Sequence, residues 1–175
     1  MYRKTNETEI TVNIGTQTKI DIGVGFYNHM LELLAFRSGL PLEILAKGDL
    51  EVDAHHTIED VGITLGLVLK EMLGDKKGIM RYGSARIPMD ECLALVDLDI
   101  SGRPFLVFNA DVQDEMLEEF FRAVAFNAGF TLHINLPYGK NDHHKCEAIF
   151  KAFGNALKQA ITKTDGGINS TKGVL

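Results

Sequence analysis

The chain has 175 residues, 45% of them hydrophobic and 24% charged, which is an ordinary composition for a soluble globular protein. Its 18 Lys and Arg against 24 Asp and Glu give a formal net charge of −6, which argues against a nucleic-acid or anionic-membrane binder. Because no apolar run reaches the ~18 residues that span a bilayer, no signal peptide is visible and only two cysteines are present, we expect a cytoplasmic protein without a disulfide framework or a thiolate zinc site.

The first half of the chain combines strand and helix patterns. Alternating apolar residues predict strands, and apolar residues spaced three and four apart predict helices. Gly39 follows the first helical pattern, at the place where glycine commonly ends a helix. The predicted order is two strands, a helix, a strand and a second helix, at residues 9–14, 18–22, 26–35, 40–44 and 57–73.

The second half repeats this order with one more strand. Its predicted elements are strands at 81–88, 93–100 and 104–110, a helix at 117–125, a strand at 130–134 and a helix at 145–161. Residues 101–103, Ser-Gly-Arg, are predicted as a hairpin turn. We therefore predict one α+β domain with an internal duplication: two similar halves, about 1–76 and 77–165, each a β-sheet with two helices on one face, and a tail over 166–175.

Two copies of a His-His-x-x-Glu motif hold four of the six histidines. The copies are His55, His56 and Glu59, and His143, His144 and Glu147. On a helix, the first His and the Glu are four residues apart and the second His and the Glu are three apart, so all three share one face. One copy is explained equally well by ordinary polar residues at a helix start, whereas two copies favour a metal site.

Adjacent histidines point about 100° apart around a helix axis, so each pair suits two ions, or two sides of a site, better than one ion. Aligning the halves places His29 opposite Glu119. The eight candidate ligands are His29, His55, His56, Glu59, Glu119, His143, His144 and Glu147. Four protein groups on each of two octahedral ions leave two positions open, and imidazole with carboxylate suits Mn²⁺, Fe²⁺ or Zn²⁺.

Polar residues beside the motifs allow two interpretations. Asp53, Asp60 and Asp142 either orient imidazole rings or cap helices. Five residues suited to holding an anion are also spread along this acidic chain: Arg81, Arg103, Lys151, Ser170 and Lys172. Arginine and lysine with a hydroxyl can hold a phosphate, although each charge alone is more simply a solvated surface group.

These residues strongly resemble the imidazoleglycerol-phosphate dehydratase family. The resemblance covers essentially the whole chain, and the paired His-His-x-x-Glu segments are its most specific part. No phosphatase domain accompanies them, so the single-function form is expected. The segments that carry the resemblance are residues 53–60, 81–83, 88–91, 99–104, 141–148, 150–153 and 170–175.

The resemblance implies a ribosomal protein S5 domain 2-like fold and the sixth step of histidine biosynthesis. In that step water is removed from D-erythro-imidazole glycerol phosphate to give imidazole acetol phosphate, through a metal-bound imidazolate and a diazafulvene-like intermediate. The resemblance also implies a homo-oligomer, a hollow shell of 24 chains, with active sites between subunits and two Mn²⁺ ions in each site.

The same resemblance implies roles for individual residues. Glu7 is expected to contact the substrate from a neighbouring chain and to take part in proton transfer, with Glu59 and Glu147 as alternative bases. The substrate phosphate is expected to contact Arg37, Arg81, Arg103, Lys151, Ser170 and Lys172.

Four positions depart from the family's usual pattern. Asn28 stands in place of an Asp and would orient His29 less strongly. Leu33 stands in place of a Gln and cannot hold phosphate, whereas Arg37, in place of a His, can. Glu119 stands where the family often has His, and a carboxylate can also bind metal.

Two other functions fit the ligand motifs alone. One is a dinuclear metallohydrolase of a small phosphorylated substrate, which would use a metal-bound hydroxide. The other is a non-catalytic shell in which metal ions only join subunits. The anion-holding residues would have no purpose in such a shell, and substrate binding through imidazole separates the dehydratase from the hydrolase.

Overall fold

Both halves of the chain fold through the same series of elements in a computed structural model that describes residues 1–175. The first half comprises β1 (Tyr2–Lys4), β2 (Thr8–Ile14), β3 (Lys19–Asp21), α1 (Gly25–Ser38), β4 (Leu42–Gly48) and α2 (His55–Leu73). The second half comprises β5 (Tyr82–Met89), β6 (Cys92–Asp99), β7 (Phe105–Asn109), α3 (Glu115–Ala128), β8 (Thr131–Tyr138) and α4 (Asp142–Ala160). The predicted α+β fold of two similar halves is confirmed.

Each half forms a four-stranded sheet with an equivalent strand order, β1-β2-β4-β3 in the first and β5-β6-β8-β7 in the second. The last pair of each sheet, β3 with β4 and β7 with β8, is parallel, and the other neighbours are antiparallel. Parallel neighbours need a long crossover connection, which helices α1 and α3 supply. The internal duplication of the sequence is therefore also a duplication of topology.

The predicted hairpin at residues 101–103 is wrong. Strand β8 lies between β6 and β7, so β7 pairs with β8 instead of with β6. Residues 101–103 form a local turn in which Ser101 Oγ accepts the N–H of Arg103 at 3.0 Å and Gly102 has a φ of +73°. The hairpin of this half lies at Asp90 and Glu91, between β5 and β6. The three-residue strand β1 is an addition that alternation does not predict.

The helices pack across the two halves, α1 on α4 and α2 on α3. Glycines allow these close crossings: a Cβ atom at Gly66 would lie 2.8 Å from the carbonyl oxygen of Val124, and one at Gly154 would lie 3.1 Å from that of Leu34. One cluster of 38 buried hydrophobic residues runs through both halves. Because the halves share this core, α1 of the first half packs against α4, the helix of the second half that carries a His-His-x-x-Glu motif.

None of the helices is both long and apolar enough to cross a membrane. A cytoplasmic location stays a prediction.

Candidate active site

Three of the predicted ligands meet where α1 packs on α4. Helix α4 begins where the side chain of Asn141 accepts the N–H of His144, which places His143 and Glu147 one turn apart on the same face. The Nε2 atoms of His143 and His29 lie 2.9 and 3.1 Å from Oε1 of Glu147. We call His29, His143 and Glu147 the α1/α4 trio, and their ligand atoms lie within 4.8 Å of one another.

The carboxylate of this trio is buried and ionised. Burial opposes its charge, but hydrogen bonds from Lys151, His29 and His143 outweigh burial and lower the pKa of Glu147 to about 2. The Nζ atom of Lys151 lies 2.5 Å from Oε2. Two imidazole nitrogens and an ionised carboxylate are a donor set that suits Mn²⁺, Fe²⁺ or Zn²⁺. A carboxylate with so low a pKa is a poor proton acceptor at neutral pH, so Glu147 fits the role of ligand better than that of base.

The corresponding residues of the first half are less closely assembled. His55 Nε2 and Glu59 Oε2 are 4.0 Å apart, and each side chain is 45% exposed. Glu119, the counterpart of His29, instead has Oε2 3.6 Å from Nε of Arg122, and it forms no three-residue cluster with His55 and Glu59 within 4.8 Å. A cavity of about 640 Å³ at the N-terminal ends of α2, α3 and α4 has both His55 and His143 in its wall.

The second histidine of each motif is oriented by a carboxylate. His56 Nδ1 lies 3.0 Å from Asp49 Oδ2, and His144 Nδ1 lies 2.9 Å from Glu91 Oε2. These hydrogen bonds are the main reason that the pKa of each ring is raised above its ordinary value. When Nδ1–H of a neutral imidazole donates to a carboxylate, Nε2 is left free to bind a metal. The ring centroids within the two pairs are each 6.4 Å apart.

Asp49 and Glu91 are candidate functional residues that the sequence pattern does not single out. Asp49 follows β4, seven residues before the histidine that it contacts, whereas Glu91 lies in the β5–β6 hairpin, 53 residues before its histidine. Glu91 also accepts the backbone N–H groups of Lys140 and Asn141, at 3.1 and 2.8 Å. The sequence marks Glu91 by a polar hairpin turn between two strands and by the family-like segment 88–91, and neither signal identifies its partner.

None of the three aspartates beside the motifs hydrogen-bonds to an imidazole ring. Asp53 lies one residue before Ala54, the N-cap of α2, and accepts the backbone N–H of His55 at 2.7 Å. Asp142 lies 3.0 Å from Nζ of Lys145, and Asp60 binds side chains of the N-terminal hairpin. Asp53 therefore contacts the backbone at the start of α2 without being its N-cap residue.

Glu7 lies in the turn between β1 and β2, beside the first motif. Its Oε2 is 3.8 Å from Nδ1 of His56, and Glu7, Asp49 and His56 form a second group of ligand atoms within 4.8 Å of one another. The Glu7 side chain is 56% exposed, so it remains accessible to a molecule outside the chain.

The residues predicted to hold phosphate lie in two separate groups. Lys151 on α4 contacts Glu147 and, at 3.2 Å, the Sδ atom of Met89 at the end of β5, while Arg37 lies where α1 crosses α4. The second group lies around the other end of β5, after β6 and in the tail, and comprises Arg81, Arg103, Ser170 and Lys172. The eight residues of β5, at about 3.3 Å each, separate the two groups. One chain therefore does not bring all of these residues together.

The guanidinium of Arg81 donates hydrogen bonds to other residues of the same chain. Its Nε and Nη2 atoms donate to Asp99 at 2.7 and 3.0 Å, and Nη1 donates to the carbonyl oxygen of Asn169 at 2.7 Å. These bonds attach the tail that carries Ser170 and Lys172. Arg81 thus positions other members of the predicted phosphate group, and Arg103 and Lys172 are the exposed cations there.

Comparison with known proteins agrees with the site. The sequence profile described as imidazoleglycerol-phosphate dehydratase matches residues 22–157. A curated protein of that name from Acetivibrio thermocellus is 55% identical over 187 aligned positions that cover 99% of this chain and 96% of the relative. One from Listeria welshimeri is 54% identical with the same coverage. The chain belongs to the imidazoleglycerol-phosphate dehydratase family.

Solved imidazoleglycerol-phosphate dehydratase structures have the same fold. The enzyme from Staphylococcus aureus aligns with a TM-score of 0.84 and 49% identity, over 94% of this chain and 98% of its own. The enzyme from Pyrococcus furiosus aligns with a TM-score of 0.89 and 40% identity over the whole of both chains.

Membership of the imidazoleglycerol-phosphate dehydratase family confirms the resemblance and the enzyme class predicted from the sequence. The chain is a dehydratase of histidine biosynthesis, EC 4.2.1.19. The eight ligands, the Mn²⁺ ions, the phosphate contacts and the 24-chain shell stay predictions.

Two departures from the family's usual residues have visible structural roles. Asn28 Oδ1 accepts the N–H of Ile22 at 2.9 Å, so it attaches the start of α1 to the segment after β3 and does not orient His29. Leu33 is half-buried and packs against the shared hydrophobic core.

Proposed function

We propose that this dehydratase uses two Mn²⁺ ions in each active site and acts on imidazole glycerol phosphate between neighbouring chains. The observation that carries the proposal is the α1/α4 trio, in which two imidazole nitrogens and one ionised carboxylate surround one point. Three protein ligands leave room for a further protein group and for substrate. A bound ion would supply Lewis acidity toward the substrate's imidazole ring and would orient it.

The second histidines of the two motifs support a site shared between chains. His56 and His144 have Nδ1 held by Asp49 and Glu91, which leaves Nε2 as the ring atom that can bind a metal, and neither ring joins the α1/α4 trio. Nε2 of His144 also lies 3.6 Å from Oδ2 of Asp90. We infer that His56 and His144 bind ions whose remaining ligands lie on neighbouring copies. A closed oligomer, the 24-chain shell that the resemblance implies, would complete every site in this way.

The two groups of phosphate-binding candidates support the same arrangement. Lys151 contacts Glu147 of the α1/α4 trio, Arg37 lies farther along the same helix crossing beside Gly154, and the tail group lies beyond the far end of β5. A phosphate held by both groups must lie between two chains. The tail group of one chain, Arg81, Arg103, Ser170 and Lys172, would then face Lys151 and Arg37 of another.

Glu7 is the carboxylate best suited to proton transfer. The reaction removes a proton from C2 of the substrate side chain and expels the C3 hydroxyl as water. Glu7 is exposed and forms no ion pair with a lysine or arginine, whereas Glu147 is buried and bound to Lys151. We propose that Glu7 takes up or returns the proton. His56, whose Nδ1 is 3.8 Å from Oε2 of Glu7, keeps the Glu7 carboxylate beside the site.

Metal removal is the first test of this proposal. The protein is stripped of metal with a chelator, and dehydration of imidazole glycerol phosphate is measured before and after Mn²⁺ is added. We expect activity to disappear on stripping and to return with Mn²⁺. Full activity in protein shown to be metal-free would contradict the proposal.

The same assay separates the alternatives. Release of inorganic phosphate without dehydration would favour the dinuclear metallohydrolase. Metal-dependent assembly without turnover would favour ions that only join subunits. Sedimentation of the stripped and reloaded protein measures the number of chains in the oligomer.

A further inference from the structure

The buried carboxylate of Asp60 binds the side chains of Arg3 and Thr8, which lie on either side of the turn that contains Glu7. Asp60 lies on α2 directly after Glu59 and is 8% exposed. Its Oδ1 accepts the N–H of Arg3 Nε at 2.9 Å and lies 2.8 Å from Nη2 of the same guanidinium in an ion pair, and its Oδ2 accepts from Oγ1 of Thr8. Arg3 belongs to β1 and Thr8 begins β2, so a single side chain attaches both ends of the turn to α2. We call Arg3, Thr8 and Asp60 the Asp60 anchor.

The turn between these attachment points is ordered by Thr5. Its Oγ1 accepts the N–H of Glu7 at 3.1 Å and the N–H of Thr8 at 2.9 Å, and its own N–H donates to the carbonyl oxygen of Thr8 at 2.9 Å. The turn is therefore one hydrogen-bonded unit. Its position relative to α2, the helix that carries His56, depends on the Asp60 anchor.

We propose that Asp60 is a positioning residue of the dehydratase, which holds Glu7 beside His56 through Arg3 and Thr8. The proposal rests on the role proposed above for Glu7. Both oxygens of Asp60 are occupied and its side chain is only 11% exposed, so its influence on the reaction passes through the turn. Positioning matters because a displacement of about 1 Å at a reacting group can cost up to about 100-fold in rate.

The second half of the chain has no such anchor. The residue that follows the motif glutamate there is Ala148, at the position corresponding to Asp60. The β5–β6 turn is held instead by Glu91, which accepts the backbone N–H of Asn141 at 2.8 Å. The anchor thus occurs only in the half that carries Glu7. This distribution fits a role in the reaction better than a general requirement of the repeated fold.

Asp60→Asn tests the proposal in the full-length, metal-loaded oligomer. The amide keeps the size of the side chain but loses its charge and one acceptor. We expect kcat for dehydration to fall about tenfold and KM to change less than about twofold, because the loss lies mainly in the transition state. Amide hydrogen exchange of residues 5–9 should become faster. The matched control is Glu9→Gln, which removes an exposed ion pair with Lys4 of the same hairpin and should change neither kcat nor exchange at that turn.

A double-mutant cycle with Glu7→Gln distinguishes positioning from general destabilisation. In the E7Q background, D60N should lower kcat less than about twofold, since the carboxylate that Asp60 positions is no longer present. Equal losses in both backgrounds, or an unchanged kcat in D60N, would overturn the positioning role. If E7Q has no measurable turnover, the single variant decides: a lower kcat with faster exchange supports the proposal, and an unchanged kcat overturns it.

Failure of the proposed function gives a different result. Full kcat in E7Q would overturn the role of Glu7 and, with it, the positioning by Asp60. An impaired E7Q with a normal D60N would overturn the positioning alone. If D60N does not assemble, Arg3→Gln, at a side chain that is 37% exposed, carries the same expectations.

Discussion

The two halves of this chain share one strand order and one motif but differ in how closely the motif is assembled. At the second motif, Glu147 Oε1 lies 2.9 Å from His143 and 3.1 Å from His29 of the first half, and the carboxylate is buried. In the first half, His55 and Glu59 are 4.0 Å apart and half-exposed. The second motif, together with His29, is therefore pre-organised for a cation within one chain, whereas the first motif is less closely assembled.

A single substitution between the repeats accounts for much of this difference. Four residues after the motif glutamate, the second half has Lys151 and the first has Ile63. Lys151 lies one helical turn from Glu147 and offsets the cost of burying that carboxylate. Glu59 has no such partner and stays 45% exposed. Both halves therefore have the motif glutamate, but only the second half has the lysine that stabilises its charge.

The largest effect is expected from Glu147→Gln. It removes a ligand of the α1/α4 trio and leaves Lys151 buried without its partner. Dehydration activity should fall by more than the roughly 10- to 100-fold that loss of an outer contact to a metal ligand costs. Activity and bound Mn²⁺ are measured together, with Asp75→Asn as a control that changes only an exposed ion pair. If Glu59→Gln lost more bound Mn²⁺ than Glu147→Gln, the first motif would be the stronger metal site, which would contradict the prediction.

A second prediction concerns the carboxylates that orient the outer histidines, where the halves should behave alike. Glu91→Gln and Asp49→Asn should each weaken Mn²⁺ binding by about 10- to 100-fold, because the ring they hold loses its orientation. Calorimetric titration of the metal-free proteins measures the affinity. Asp97→Asn, which changes an exposed carboxylate bonded to Ser84, should have no effect. A loss confined to one of the two variants would show that only one of these histidines binds metal.

The titration of His144 gives a direct measure of its contact with Glu91. The carboxylate stabilises the charged imidazolium, which raises the pKa of His144 above the ordinary value of 6.5. In metal-free Glu91→Gln the pKa should fall back toward that value. Since the imidazolium cannot bind metal, Mn²⁺ uptake should weaken as the pH falls through this range, and at lower pH in the variant. NMR titration of the ring follows both proteins, and an identical pKa in the two would rule out the contact.

The sequence predicts the local features of this fold well and the long-range ones poorly. The helices expected at 57–73 and 145–161 are observed as α2 and α4 with small shifts at their ends, and Gly39 and Gly129 end helices with positive φ. Helical period and glycine's backbone freedom are local properties. The hairpin at 101–103 failed because alternation does not say which strand pairs with which, and β8 pairs with both β6 and β7.

The candidate site divides in the same way. Motif spacing predicts that His143 and Glu147 share a helix face, which the structure bears out. The meeting of His29 with the second motif depends on how α1 crosses α4, which no pattern within either helix records. Asp49 and Glu91 have no regular spacing from the histidines that they orient, so only the tertiary structure reveals them.

The helix crossings allow a further test of the two halves. A Cβ atom at Gly66 would lie 2.8 Å from the carbonyl oxygen of Val124, and one at Gly154 would lie 3.1 Å from that of Leu34. Alanine at either position should lower the free energy of unfolding by about 1–3 kcal/mol, and by more at Gly66, where the backbone is closer. Gly154→Ala should also weaken Mn²⁺ binding more than Gly66→Ala does, because the crossing of α1 on α4 carries the α1/α4 trio. Urea unfolding and metal titration check both, and Gly167→Ala, in open space, is the control.

The smallest effect is expected at Arg37, a position where the α1–α4 crossing and the α2–α3 crossing have different residues. Arg37 on α1 and Asn127 on α3 occupy equivalent positions, beside Gly154 and Gly66. Arg37 is exposed and lies over the ring of Phe36, 5.6 Å from its centre, and none of the ion pairs in the chain includes it.

Arg37→Asn gives both crossings the same residue. Loss of one exposed cation from the phosphate should cost about 1 kcal/mol or less, so KM should rise up to about fivefold with kcat unchanged. Arg86→Asn, an exposed arginine on β5, should leave KM unaltered. An unchanged KM in Arg37→Asn would leave the phosphate to Lys151 and the tail group. A raised KM would place the phosphate beside Arg37, where α1 crosses Gly154 of α4.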